Sequence, residues 1–206
     1  MHLLLREYNG VFLRYFVLTE KNLYLSFALY KLSGMQTSPG KLLMKIVLRF
    51  FLLYFALLWI YNFSLQSRSP DYFTLATARQ TAFLYRLSGM HPEIKELGPA
   101  GAGIMSNGKW VVRVVEGCNG ISVIIVFLAF VWAFPAPLRD KIRFSLAGIV
   151  TIWAVNVLRI SLLGWVYIKK PESFDIFHRV IFPAIIYGLV VILWTIWMRH
   201  LRKISA

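Results

Sequence analysis

Cysteine, acidic side chains and metal-ligand patterns are all scarce in this chain. Cys118 is the only cysteine among 206 residues, so no internal disulfide can form. Its remaining roles are packing, metal binding, intermolecular pairing or nucleophilic chemistry. The four histidines are scattered and lack paired-ligand spacing, and no glycine-rich phosphate loop is present. We therefore predict neither a metal nor a cofactor.

The shortage of acidic residues leaves the chain strongly basic. Nine Asp and Glu stand against 23 Lys and Arg, which gives a formal net charge of +14. The basic residues bracket apolar segments and form no soluble basic face, so we predict no nucleic-acid partner. With 58% hydrophobic residues and a mean hydropathy of +0.63, the chain is predicted to be an integral membrane protein.

The apolar segments predict an all-α membrane protein with four transmembrane helices, which are residues 46–65, 121–138, 144–168 and 180–198. Basic residues flank the start of the first span, the turn after the second and the end of the fourth. The positive-inside rule then places both termini in the cytoplasm, with a basic outer loop at 169–179 as an exception. Residues 1–43 are predicted to be an interfacial N-terminal extension, or a segment before a later start codon, and residues 44–206 form the membrane domain.

The long connection between the first two spans is predicted to carry a small external helix and a β-hairpin. Ser69-Pro70-Asp71 is typical of a helix start and Gly89 of a helix stop, so a helix is expected over about 70–88. Asn107-Gly108 between apolar flanks predicts a hairpin over 104–115. His91-Pro92 and the tract 98–103 are predicted to be loop.

The hairpin leads directly to Cys118 in Glu116-Gly117-Cys118-Asn119-Gly120-Ile121. A helix is expected to begin at or just after the thiol, where the positive end of its dipole would stabilise a thiolate. The alternative is that Cys118 is a buried cysteine that packs as a small hydrophobe.

Two further side chains are predicted at the same outer rim of the bundle. Arg159 lies within the third span, where an arginine costs about 2.5 to 3.5 kcal/mol and needs a partner. Asn156, one turn earlier, is a candidate partner for the guanidinium. His178 lies where the outer loop enters the fourth span, and a helix N-terminus there favours a neutral imidazole. Together with Cys118 these groups supply a nucleophile, an acid/base and a fixed cation.

These motifs, in this order, resemble the exosortase/archaeosortase family of membrane cysteine transpeptidases over residues 46–200. The short chain and its Cys-Asn-Gly form are most similar to the compact exosortase F type, whereas many members have Cys-Ser-Gly and more spans. The resemblance implies that Cys118 attacks a C-terminal sorting signal and forms a thioester. His178 would transfer the proton to the leaving amine, and Arg159 would stabilise the tetrahedral centre. Asn156, Asn119 and Glu116 are supporting candidates.

The same resemblance implies a location and a set of partners. The protein would lie in the bacterial inner membrane with its active site facing the periplasm. Exported proteins with a C-terminal sorting tail would be its substrates, a surface acceptor would resolve the thioester, and membrane lipids and a small associated membrane protein would be further partners.

Three other functions stay open at this stage. A non-catalytic membrane scaffold or accessory subunit would use Cys118 only for packing. A plain intramembrane cysteine protease would use the same three residues and transfer the acyl group to water. A small-molecule transporter is disfavoured, because four spans without broken-helix pairs lack the usual transport pattern.

Overall fold

The computed structural model describes residues 39–65 and 69–205 of the chain. In chain order the elements are α1 (Pro39–Leu65), α2 (Tyr72–Leu87), β1 (Pro92–Glu96), β2 (Ala102–Ser106), β3 (Lys109–Val114), α3 (Ile121–Ala133), α4 (Leu138–Lys169) and α5 (Phe182–Ser205). A short helical segment, Phe174–Ile176, and a π-helical turn, Phe177–Ile181, lead into α5 without a break. The predicted N-terminal extension lies outside the described residues except for its last turn, which already belongs to α1.

Within residues 39–65 and 69–205, three helical segments are long and apolar enough to cross a membrane, so the protein is a multi-pass membrane protein. They are Gly40–Phe63, Leu138–Lys169 and Pro171–Ile204, and they correspond to the first, third and fourth predicted spans.

The predicted second span, 121–138, is not a full span in the structure. Its helix, α3, has 13 residues, about 20 Å of helix against a hydrocarbon core of about 30 Å. Two prolines in the following Phe134-Pro135-Ala136-Pro137 segment explain the early end, because proline lacks the N–H that a helix interior requires. The short helix is nevertheless central, since it packs against α1, α4 and α5.

The external helix is confirmed with a shifted start. Asp71, not Ser69, caps α2, and its carboxylate accepts hydrogen bonds from the backbone N–H groups of Phe73 at 2.8 Å and Thr74 at 3.1 Å. The helix ends at Leu87, and the following Gly89 takes a positive φ of 80°, as its position after the helix predicts.

The β-hairpin is confirmed, and it belongs to a larger sheet than the sequence predicts. Strands β2 and β3 pair antiparallel around Asn107 (φ 51°) and Gly108 (φ 73°), whose positive φ angles match a type I′ turn. Strand β1 pairs antiparallel with β2 and completes a three-stranded meander. The prediction of loop was therefore wrong at Pro92, where β1 begins, and at Ala102 and Gly103, where β2 begins. The β1 sequence is charged apart from Pro92 and a central isoleucine, which is typical of an edge strand. The segment forms a strand because it pairs with β2.

Two hydrophobic cores meet along α4. One lies among the bundle helices and is centred on residues such as Phe127, Ile152 and Trp197, which are fully buried. The other joins α2 and the sheet to α4 through residues such as Tyr85 and Ile160. Because α4 is shared by both cores, it fixes the sheet and the helical bundle relative to one another.

A group of lysines and arginines lies at the bundle end opposite the sheet. Leu42 near the start of α1 packs in one cluster with Leu201 near the end of α5, and His200 Nε2 lies 3.9 Å from Asp140 Oδ1 at the start of α4. We call this region the basic end; its lysines and arginines are Lys41, Lys45, Arg49, Arg139, Lys141, Arg143, Arg199, Arg202 and Lys203.

Candidate active site

A cavity of about 660 Å³ lies at the end of the bundle where α4 meets the sheet. Cys118, Arg159 and His178 all line it. Its walls come from β3, the turn before α3, the outer half of α4 and the segment that leads into α5. The fold thus brings three residues that are distant in sequence to one cavity. The other lining residues are Leu97, Trp110, Val111, Val112, Arg113, Val115, Ile160, Leu163, Tyr167 and Phe174.

Cys118 closes a tight turn that follows β3. Its backbone N–H donates to the carbonyl of Val115 at 2.9 Å, and Gly117 has a φ of 90°, which matches the third position of a type II turn. Helix α3 begins at Ile121 after Gly120 as N-cap. The half-buried thiol residue therefore lies two residues before the N-cap, and not in the first helical turn.

Asn119 anchors this turn to the helices around it. Its side chain is fully buried, and its Nδ2 donates to the Tyr61 hydroxyl at 2.8 Å and, at longer range, to Thr74 Oγ1 at 3.2 Å and Asp71 Oδ2 at 3.3 Å. Its Oδ1 accepts from the N–H of Ile121 at 3.2 Å and so caps α3. Asn119 holds the residue beside the thiol in place; it does not line the cavity.

Asn156 connects the thiol turn to Arg159. Its Nδ2 donates to the Cys118 carbonyl at 3.0 Å, and its Oδ1 accepts from Arg159 Nη1 at 3.5 Å, the long limit for a hydrogen bond. The contact between Asn156 and Arg159 that the sequence suggests is thus present. Gly120 packs against the same amide, and an added Cβ there would lie 3.1 Å from Asn156 in a backbone with φ 83°. Only glycine fits this position without strain.

Arg159 retains an unused donor in the cavity wall. Its Nε is buried and has no hydrogen-bond partner among the described residues. A buried unpaired donor costs about 1 to 3 kcal/mol. The guanidinium also puts a positive charge in the wall of the cavity that Cys118 lines.

His178 is positioned by aromatic stacking. It lies in the π-helical turn, four residues after the helical segment begins at Phe174, and not at a helix N-terminus as the sequence predicts. Its ring stacks on Phe174 with centroids 5.5 Å apart and planes 9° apart. Phe174 in turn meets the edge of Tyr167 at 5.7 Å. Because α4 carries Tyr167, this row of rings ties the imidazole to the helix that carries Arg159.

A comparison with known protein families identifies the family of this chain. A sequence model of the transmembrane exosortase family matches residues 21–198. The chain belongs to the exosortase family. The match includes part of the predicted N-terminal extension, and it does not distinguish the compact F type. No curated protein matches this exosortase-family chain, and no solved structure does.

Glu116 makes no ion pair in the described part of this exosortase-family chain. A glutamate at this position could support the site by a contact that orients His178, or it could pair with Arg113 or Arg179. In the structure Arg179 Nε lies 3.7 Å from Asp175 Oδ1, one turn away on the exposed surface. Glu116 is half-buried and contributes to the electrostatic surroundings of Tyr61.

Sequence reasoning missed Tyr85, which fastens α2 to α4 beside the cavity. The phenol is fully buried, and its hydroxyl donates to the Ser161 carbonyl at 2.9 Å. Burial raises the pKa of Tyr85 well above its ordinary value, so the hydroxyl stays a donor. Gly164 allows this approach, because a Cβ there would collide with the Tyr85 hydroxyl. A tyrosine within a helix carries no local signal of such a contact.

Proposed function

We propose that this exosortase-family protein is a membrane-embedded cysteine peptidase that acts as a transpeptidase on the C-terminal sorting signals of exported proteins. The observation that carries the proposal is the single cavity lined by the only cysteine, a histidine and an arginine with an unpaired buried donor. These groups suit acyl transfer, which needs a nucleophile, a proton carrier and a stabiliser of negative charge.

In the first half-reaction, His178 takes the proton of the Cys118 thiol, and the sulfur attacks the carbonyl carbon of the scissile peptide bond. A carbon–sulfur bond forms, and the carbonyl oxygen becomes an oxyanion beside the Arg159 guanidinium. The carbon–nitrogen bond then breaks, and His178 gives its proton to the leaving amine. The substrate's upstream part remains on Cys118 as a thioester.

In the second half-reaction, a nucleophile on the acceptor attacks the thioester carbon, and the thiolate leaves. His178 takes the proton of the attacking group and returns it to sulfur. Water competes as an acceptor, and its attack would release the cleaved protein as a free acid. A surface amine gives transfer, whereas water gives hydrolysis.

The supporting residues have distinct parts in this proposal. Asn156 would hold the Cys118 carbonyl and Arg159 in one frame, and Asn119 would fix the turn from within the bundle. The positive-inside rule puts the basic end in the cytoplasm and hence the cavity on the periplasmic side of a bacterial inner membrane. The compact F type stays a prediction.

The test is the processing of tail-bearing surface proteins in cells that carry Cys118→Ala, His178→Ala or Arg159→Ala. We expect precursor to accumulate in all three, with rates lowered by about 10²- to 10⁴-fold for the histidine and about 10²- to 10³-fold for the arginine. His91→Ala and Arg139→Ala remove the same side-chain types outside the cavity and should process normally. Continued processing in Cys118→Ala would favour the scaffold function instead, and the mass of the wild-type product separates transfer from hydrolysis.

A further inference from the structure

A second cavity lies between α1, α3 and α4. It measures about 390 Å³, and its walls include Leu53, Leu57, Leu128, Trp132, Ser145 and Ile149. The two polar side chains satisfy each other, because Trp132 Nε1 donates to Ser145 Oγ at 2.9 Å. The cleft therefore presents an almost wholly apolar interior, into which a hydrocarbon chain fits without leaving a polar group unpaired.

Two cations stand at the mouth of this cleft. Arg49 lies one helical turn before Leu53 on α1, and Lys141 lies one turn before Ser145 on α4, so each continues a stripe that lines the cleft. Lys141 Nζ lies 5.7 Å from the centre of the Trp132 ring. Lys141 and Arg49 are close enough for their charges to repel one another.

No acidic side chain in the described part of the chain forms a salt bridge with either cation. Asp140, the nearest acid in sequence, lies 3.9 Å from His200 of α5 instead. Two neighbouring positive charges above an apolar cleft leave a site for an anionic group that carries a hydrocarbon chain. An anion between Arg49 and Lys141 would reduce the electrostatic repulsion between the two positive charges.

We propose that this cleft binds one anionic phospholipid, with an acyl chain between α1, α3 and α4 and its phosphate between Arg49 and Lys141. A partner's transmembrane helix is disfavoured, because by the positive-inside rule its own basic residues would lie at this same end. A zwitterionic lipid is disfavoured because its ammonium group would meet two cations and no acid. Because α3 is shorter than a full span, an acyl chain in the cleft would fill space that a longer helix would occupy.

This lipid site is separate from the candidate active site. Lys141 and Arg159 are 18 residues apart on α4, which corresponds to about 27 Å along the helix. The proposal therefore does not depend on the catalytic function, and it can be tested on protein that has no substrate.

The experiment places the full chain in nanodiscs of equimolar phosphatidylglycerol and phosphatidylcholine and counts by mass spectrometry the lipids that remain bound after extraction. We expect one phosphatidylglycerol to be retained in preference to phosphatidylcholine. Each basic residue contributes about 1 kcal/mol, a little over a factor of five, to the binding of anionic lipid. Arg49→Gln combined with Lys141→Gln should therefore lower the preference for phosphatidylglycerol about thirty-fold. Lys169→Gln with Lys170→Gln removes the same charge at the other end of α4 and should keep it.

Three results would overturn the proposal. One is equal retention of the two lipids by the wild-type protein, and another is an equal loss in the Lys169 and Lys170 control, which would show only bulk attraction. The third is full retention in Leu146→Trp, which narrows the cleft from its exposed rim without changing charge. A photo-cross-linking amino acid at position 146 identifies the occupant in membranes: lipid adducts support the proposal, and adducts only to polypeptide show that a partner helix fills the cleft.

Discussion

Asn156 is the residue whose removal should affect the candidate site most without removing a reacting group. Its amide is almost fully buried, donates to the Cys118 carbonyl at 3.0 Å and accepts from Arg159 at 3.5 Å. Asn156→Ala removes both contacts and leaves the Cys118 carbonyl and the guanidinium without their shared partner. Asn156→Asp keeps an acceptor for Arg159 and loses the donor to the carbonyl.

The size of the effect follows from burial. A buried polar group that loses its partner costs about 1 to 3 kcal/mol. If that cost falls on the reactive arrangement of Cys118 and Arg159, the rate of processing drops by about 5- to 150-fold, because about 1.4 kcal/mol corresponds to a factor of ten. Asn156→Asp should be at least as slow as Asn156→Ala, because its carboxylate faces the Cys118 carbonyl oxygen where an N–H stood.

The assay is a pulse-chase of a tail-bearing precursor at matched expression, together with the rate at which an alkylating reagent modifies the single thiol. Gln80→Ala is the control, because it removes another hydrogen bond to α4, from Trp153 Nε1 at 2.6 Å, on the exposed surface. Processing at the wild-type rate in both Asn156 variants would refute the view that this amide aligns the site.

Three further predictions concern the supports of the cavity. Tyr85→Phe should lower the unfolding free energy in detergent by about 1 kcal/mol, because the hydroxyl hydrogen bond is lost. Since burial raises the Tyr85 pKa, the wild-type protein should lose stability faster than the variant as pH rises above about 10. Parallel pH profiles of stability for the two proteins would contradict this. Gly164→Ala should destabilise the protein by about 1 to 3 kcal/mol, because the new Cβ displaces Tyr85. In the double variant, Tyr85→Phe should recover part of that loss. If the thermal shifts of the two single variants simply add in the double variant, the two residues are not in contact. Phe174→Leu should slow processing by about 2- to 10-fold and alter its pH profile, because the His178 ring loses its stacking partner. Phe177→Leu, in the adjoining π-helical turn but outside the cavity lining, should do neither. Equal effects of the two substitutions would mean that stacking does not position the imidazole.

Much of the fold was predictable because its signals are local. Long apolar runs mark α1, α4 and α5, and Asn107-Gly108 marks the hairpin, since few other residue pairs accept two positive φ angles. The four-span topology predicts Cys118, Arg159 and His178 at one rim, and the structure places all three on one cavity although the second predicted span is only a 13-residue helix.

The predictions that failed have two causes. One is a local signal that hydropathy overrode, because the predicted second span ran through Pro135, although a proline ends the helix. The other is that tertiary contacts decided the structure. Strand β1 is charged and orders only through its pairing with β2. The π-helical turn that carries His178 and the buried bonds of Asn119 depend on neighbours far away in sequence, which no local pattern shows.

The most direct test of the account is to capture the covalent intermediate on the single cysteine. Wild-type protein would be incubated with a tail-bearing substrate, quenched in acid and digested, and the peptide that contains Cys118 would be weighed by mass spectrometry with and without hydroxylamine. The account predicts a substrate adduct on Cys118 that hydroxylamine removes, that needs the thiol, and that is strongly reduced in His178→Ala. Normal cleavage of the substrate by Cys118→Ala would contradict it.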